Sequence, residues 1–250
     1  MKTKYQSSPV LLFRQLFDYE TWTYTYLIAD RDSREGVLID TVFEQHERDH
    51  KLLKELDIKL KYTLDTHVHA DHVTGAAELK KATGSQTVIG VGGKVECADI
   101  LIKDGEALNF GKIVLRAIST PGHTDSCTSY HIGNMIFTGD ALFIRGCGRT
   151  DFQQGSAEEL FHSVREKLFV LPDEMIVYPG HDYNGMTSST IGEEKNFNPR
   201  LAEPKSESDF INIMSNLKLA NPKRIHEAVP LNLKCGNMGT SKAQDLYPGH

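Results

Sequence analysis

A chain of 250 residues with 28 basic and 34 acidic side chains has a net charge of −6, and it is 39% hydrophobic and 25% charged. That composition is ordinary for a globular protein, and it argues against a basic nucleic-acid-binding surface. No apolar run approaches the ~20 residues of a membrane span, so no membrane partner is expected. The opening "MKTKYQSSPV" has neither an apolar stretch nor an Arg-rich amphipathic pattern. Neither a secretory nor a transit peptide is therefore expected, and the cytoplasm is the expected location. Cys97, Cys127, Cys147 and Cys235 are scattered without paired spacing, which reads as a reduced, intracellular thiol set.

In chain order, 9–18, 23–30 and 36–40 read as three strands separated by turn residues, with Thr23 to Tyr26 well suited to a pleated sheet. Residues 43–56 read as a helix with Leu52, Leu53 and Leu56 on one face. A strand at 60–67 runs into the stretch "THVHADH", and a helix over 73–84 stops at Gly84. Short strands are expected at 87–90, 112–120, 129–133 and 134–140. Ser156 and Glu159 form a capping box at the head of a helix spanning 156–171, whose stripe is Leu160, Phe161, Val164 and Leu168. Residues 174–181 form another strand, 206–222 a last helix, and the remainder a tail. The pattern has no repeat or long linker. It predicts a single α/β domain over 1–250, with a short C-terminal helix and tail from about 204.

The strand ends carry the chemistry. His67, His69, Asp71 and His72 follow one strand, His123 in "PGHT" another, Asp140 in "TGD" a third and His181 in "PGH" a fourth. Neighbouring strands lie only ~5 Å apart, so such ends converge across long sequence separations. Five of the eleven histidines sit at these points. Imidazole with carboxylate suits zinc, iron or manganese, and the absence of cysteine at these positions argues against a thiolate site. The stretch "HERDH" at 46–50 also fits a zinc-protease pattern. It is charged on every side, however, where a zinc helix must be half-buried, and it reads as a solvated helix face.

The succession "THVHADH", "PGHT", "GD" and "PGH" resembles the metallo-β-lactamase superfamily. The resemblance implies an αββα sandwich of two packed mixed sheets flanked by helices. The stretches "FTGDALFIRGCGRTDFQQGS" and "YPGHDYNGMTSSTIGEEKNFNPRL" are similar to those of the persulfide dioxygenases, also called sulfur dioxygenases, which are related to glyoxalase II. That resemblance covers roughly residues 10 to 240. It implies one Fe(II) per chain, held by His67, His123 and Asp140, with His69, Asp71, His72 and His181 as a vacant second-metal set around it. It also implies oxidation of glutathione persulfide by O₂ to sulfite and glutathione. Two histidines and a carboxylate on Fe(II) leave about three coordination positions open, which suits an oxygenase.

Other residues carry two readings each. Arg145 and Arg149 either hold a substrate carboxylate or pin the loop after Asp140. Tyr183 either donates a hydrogen bond to the reacting groups or is a core tyrosine with a satisfied hydroxyl. Cys147 and Cys127 either take part in the chemistry or pack as small buried residues, and the glycines of "GCG" are expected in turns of positive φ. Two further functions remain open beside the dioxygenase. One is a dinuclear hydrolase of glutathione thioesters; the other is a non-catalytic metal-binding partner protein. A homodimer and a separate sulfurtransferase partner complete the expectations.

Overall fold

The computed structural model describes residues 11–238. The start of the first predicted strand, at 9–10, and the end of the tail lie outside them. Two six-stranded sheets face each other. The first is ordered β1 (Leu11–Asp18), β2 (Thr23–Asp30), β3 (Glu35–Ile39), β4 (Lys59–Leu64), β5 (Gln86–Gly90), β6 (Ile100–Ile102). The second contains β7 (Ala107–Phe110), β8 (Ile113–Ser119), β9 (Thr128–Ile132), β10 (Met135–Gly139), β11 (Ile176–Pro179) and β12 (Ser189–Thr190), also in sequential order. β3 to β6 pair in parallel, as do β10 and β11; the other pairings are antiparallel.

The inner faces make one core. Tyr24, Tyr26, Ile28, Val37, Ile39 and Leu64 of the first sheet meet Phe110, Leu115, Ala117, Tyr130, Ile132 and Phe137 of the second. Every residue of β2 is buried, because its other face is covered as well. There α1 (His46–Glu55) and α2 (Ala76–Thr83) contribute Leu53 and Leu79 to a layer with Leu27, Ala29 and Leu38. On the far side, α3 (Ala157–His162), α4 (Ile191–Phe197) and α5 (Glu207–Ser215) place Leu160, Ile191, Phe210 and Met214 against Ile136 and Val177. This is the expected sandwich of two sheets between helical layers.

Several elements differ from the sequence expectation. The 156–171 helix is α-helical only to His162 and widens into π geometry over Ser163–Leu168. Ser156 accepts the Glu159 amide at 3.2 Å, and a full capping box appears instead at α5, between Ser206 and Asp209. The predicted 206–222 helix stops at Ser215. The expected tail contains α6 (Ile225–Asn232), a helix with Pro230 inside it.

The cysteine reading is corrected in part. Cys97 and Cys235 form a disulfide across 138 residues of sequence, while Cys127 and Cys147 are free and buried. Among the described residues, no helix is long and apolar enough to cross a membrane.

Candidate metal centre

The parallel strands set the location. β3 and β4 of one sheet and β10 and β11 of the other all end at the same edge, where loops leave the sandwich. β2 also reaches this edge: Tyr24 N donates to Gly180 O at 2.9 Å, joining the sheets beside the site. The seven predicted side chains gather here. His67, His69, His72 and His181 are buried and Asp140 is 8% exposed.

They divide into groups. His67, His123 and Asp140 each bring a donor atom within 4.8 Å of the others, and His69, Asp71 and His72 do the same separately. His181 belongs between them, with Nδ1 2.8 Å from Asp140 Oδ1 and Nε2 3.0 Å from Asp71 Oδ2. Burial alone would keep His181 neutral, but Asp140 and Asp71 outweigh it and raise its pKa well above the ordinary histidine value. Asp140 is likewise buried, yet His181, His67 and His123 hold its carboxyl far below the usual range.

The hydrogen bonds orient the two histidines in the first group. His123 Nδ1 donates to Arg149 O at 2.6 Å, which turns Nε2 toward Asp140 Oδ2, 3.5 Å away. Thr66 spends its hydroxyl proton on Asp40 Oδ2 at 2.9 Å, so its oxygen accepts from His67 Nδ1 at 3.0 Å. His67 Nε2 is then unprotonated. Burial and the neighbouring His69 push the His67 pKa well down, which keeps the ring neutral. Two imidazoles aimed through Nε2, each held at Nδ1 by a hydrogen-bond acceptor, and one ionised carboxylate are an arrangement that suits a divalent metal. His69 Nδ1 and His72 Nε2 are buried without a hydrogen-bond partner, as orphaned donor or acceptor positions on the second group. The residues fit a metal.

Glycines permit the crowding. A Cβ on Gly148 would lie 2.8 Å from the His123 ring, and one on Gly180 would lie 2.6 Å from Asp140 Oδ1. Neither glycine of "GCG" has positive φ, which corrects the sequence expectation for them: Gly148 serves close approach, Gly146 has room for a Cβ, and it is the nearby Arg145 that has positive φ, at 59°.

A cleft of about 860 Å³ opens onto His67, His123 and Asp140. Trp22, Phe143, Arg200 and the 219–224 segment line it, together with Tyr183. Tyr183 is 59% exposed, lies parallel to the His181 ring at 6.1 Å, and its hydroxyl has no hydrogen-bond partner among the described residues. It is therefore not a core tyrosine with a satisfied hydroxyl. Arg145 and Arg149 also line the cleft, but the guanidinium of each is already engaged. The Arg145 guanidinium pairs with buried Glu194, with Glu193 at 2.9 Å and with Ser189 at 3.1 Å, and it stacks over Phe197. Arg149 is held by Asp151 at 2.6 and 2.7 Å and by Ala220 O at 2.7 Å, over the Phe152 ring. Both geometries are those of loop pins. Burial pushes the Cys147 thiol up to about 11 and the Cys127 thiol up to about 12, so neither is a thiolate. His46 and His50 of "HERDH" lie on α1, away from the cleft that opens onto His67.

Four supporting residues escaped the sequence reading. Asp40 accepts from Thr66 N at 2.7 Å and contacts His69 Nε2 at 3.1 Å. Thr66 orients His67 as described, and Thr23 lies 3.2 Å from His181 Nε2. Asn232, from α6, bonds the backbone of the histidine loop. Asp40 and Thr66 stand at strand ends like the ligands, and that signal could have found them. Asn232 carries none.

The fold and the metal-binding edge define a metallo-beta-lactamase superfamily protein, and the profile of that superfamily matches residues 22–99 and 98–181. The mouse protein named persulfide dioxygenase ETHE1, mitochondrial, is 50% identical over 232 residues, 92% of this chain and 90% of its own. The crystal structure of ETHE1 from Myxococcus xanthus is 51% identical, with a TM-score of 0.88 over 90% of this chain and 100% of that one. TTHA1623, solved in a di-iron-bound form, is 25% identical with a TM-score of 0.63 over 74% and 98%. The chain belongs to the persulfide dioxygenase family within the superfamily.

Proposed function

We propose that the protein is an iron-dependent persulfide dioxygenase, converting glutathione persulfide, O₂ and water to sulfite and glutathione. The carrying observation is that His67, His123 and Asp140 converge as one donor set of two histidines and a carboxylate, the set that leaves an iron open positions for both reactants. The second group, with His69 Nδ1 and His72 Nε2 unpartnered, keeps a dinuclear thioester hydrolase as the alternative that the metal count decides. The relatives named persulfide dioxygenase support the dioxygenase reading.

His67 Nε2, His123 Nε2 and an Asp140 oxygen would hold one Fe(II), which supplies open coordination positions and redox capacity. The chain's residues do the rest. Thr66 and the Arg149 carbonyl fix the two imidazoles, and His181 braces the Asp140 carboxylate. Tyr183 offers an unpaired hydroxyl at the cleft for orienting substrate. Arg145 and Arg149 are assigned to holding the loop rather than the substrate.

The chain acts as one domain, with the persulfide delivered by a separate sulfurtransferase; the enzyme is a homodimer in the cytoplasm. The mouse relative is named mitochondrial, and cell fractionation decides the location for this protein. The main test is metal content with O₂ uptake on protein purified without chelator. One iron per chain and O₂ consumption only with persulfide are expected. Two bound zinc ions with rapid thioester hydrolysis would instead establish the dinuclear hydrolase.

A further inference from the structure

The loop holding His67, His69, Asp71 and His72 has little regular structure of its own, and its backbone polar groups need partners. Three of those groups are satisfied by one side chain. Asn232, 5% exposed at the end of α6, donates Nδ2 to His69 O at 2.9 Å and to His72 O at 2.8 Å, and accepts from Thr74 N at 2.9 Å through Oδ1. Both donors of its amide, and one acceptor position, go into the shape of this loop. Val229, one turn earlier, packs with Val68, which lies between the first two histidines.

A second, independent observation concerns how α6 is kept in place. The helix is short, contains Pro230 and starts at Arg224 without a side-chain cap, so it has little stability of its own. Three residues beyond Asn232, Cys235 is bonded to Cys97, which lies in the loop between β5 and β6. Cys235 N donates to Asn232 O at 2.9 Å and Gly236 N to Leu231 O at 2.9 Å, so the turn joining disulfide and asparagine is itself hydrogen-bonded. The disulfide therefore fixes α6 to the body of the sandwich just past the residue that grips the metal loop. Cys97 is exposed, so a small thiol can reach its sulfur.

We propose that Asn232 is the positioning residue of the metal loop and that the Cys97–Cys235 disulfide keeps it seated, so that a thiol loosens the metal site from outside the cleft. The inference rests on the metal assignment above. The chemistry is ordinary exchange. A thiolate attacks one sulfur, the Cys97–Cys235 bond breaks, and a mixed disulfide forms. A second thiolate resolves it. Two thiols are oxidised to one small disulfide, and the two cysteines leave as protonated thiols. The thiol class required is the one the proposed reaction releases.

The test uses Fe(II)-loaded protein and the rate at which a chromogenic chelator removes the metal. Thiol titration of the denatured, untreated protein should find two free thiols, Cys127 and Cys147; four would overturn the disulfide's role. Asn232→Ala should weaken metal retention by about 10-fold, the lower end of the range for groups bonded directly to a ligand, because Asn232 acts through the backbone of the loop that carries His67. Asn232→Asp keeps the shape and the acceptor for Thr74 but sets oxygen against the His69 and His72 carbonyls. It should release metal nearly as fast as Asn232→Ala, and release at the wild-type rate would reduce Asn232 to a space-filling residue. Dithiothreitol should accelerate release from wild type by a smaller factor and leave Cys97→Ser, already fast, unchanged. Equal rates for oxidised and reduced wild type would sink the clasp, even if the asparagine variants fail to fold. Failure to hold Fe(II) under any condition would instead overturn the iron reading, so the two failures are distinguishable.

Discussion

Tyr183 stacks on the imidazole that braces Asp140, yet its hydroxyl has no partner among the described residues and the ring is more exposed than buried. A hydroxyl with no partner contributes little to folding, so Tyr183→Phe should leave the melting temperature unchanged. If the phenol orients substrate, the variant loses one neutral hydrogen bond of about 0.5–1.5 kcal/mol, and turnover per iron should fall roughly two- to twelvefold. Unchanged turnover per iron would remove Tyr183 from the reaction. At this scale the sequence was legible where a side chain's chemistry announced itself. His67, His123 and Asp140 stand at strand ends beside glycine or a small residue, and nothing in a core needs them there. The purpose of Arg149 was illegible, because its contribution to the site is a backbone carbonyl aimed at His123 Nδ1. Any residue type offers that atom.

Elements explain why the arginine after Asp140 matters. Arg145 ties the loop that follows β10 to the head of α4: its backbone amide and guanidinium both reach Glu194, which is fully buried. Arg145→Met would leave the buried Glu194 carboxyl without its guanidinium partner. Breaking such a pair costs about 3 kcal/mol, the lower end for buried pairs, since Arg145 is itself 31% exposed. Thermal denaturation should therefore show a clear drop, with O₂ uptake per bound iron in the surviving fold close to wild type. A stable variant with activity lost would return Arg145 to the substrate. The same scale shows what periodicity can and cannot convey. β2 and β4 were readable as runs of sheet-forming residues leading to the site. α6 was not, because Pro230 reads as a helix breaker; the helix persists because Ala228 and Leu231 pack with Phe43 and Val73. The Cys97–Cys235 pairing was equally hidden, since its two ends are neighbours only once both sheets and α6 are in place.

Across the whole molecule, the metal site is the seam where the two sheets meet. The proposed ligands come from the end of β4 in one sheet and from the ends of β8 and β10 in the other, with His181 after β11 bracing Asp140. A metal shared among these ends links both halves of the sandwich, and it binds only when both are folded. It must then stabilise the native state by mass action: about 4 kcal/mol when free metal is a thousandfold above its dissociation constant. For a chain of this size each kcal/mol moves the midpoint by roughly 2–4 °C. Stripping the metal under reducing, oxygen-free conditions should therefore lower the melting temperature by roughly 8–16 °C, and returning Fe(II) should restore it. Asp140→Ala supplies the control, because it removes a ligand drawn from the second sheet and should melt at one temperature with or without chelator. The disulfide does not span this seam: Cys97 precedes β6 of the first sheet and Cys235 follows α6, which rests on the loop after β4. Reduction should therefore leave most of the metal-dependent shift intact while lowering both midpoints, as calorimetry on oxidised and reduced samples with and without Fe(II) would measure. If chelation leaves the midpoint unmoved, the sheets are joined by their apolar core alone, and the metal is a passenger in a site already set by Thr66, Asp40 and Asn232.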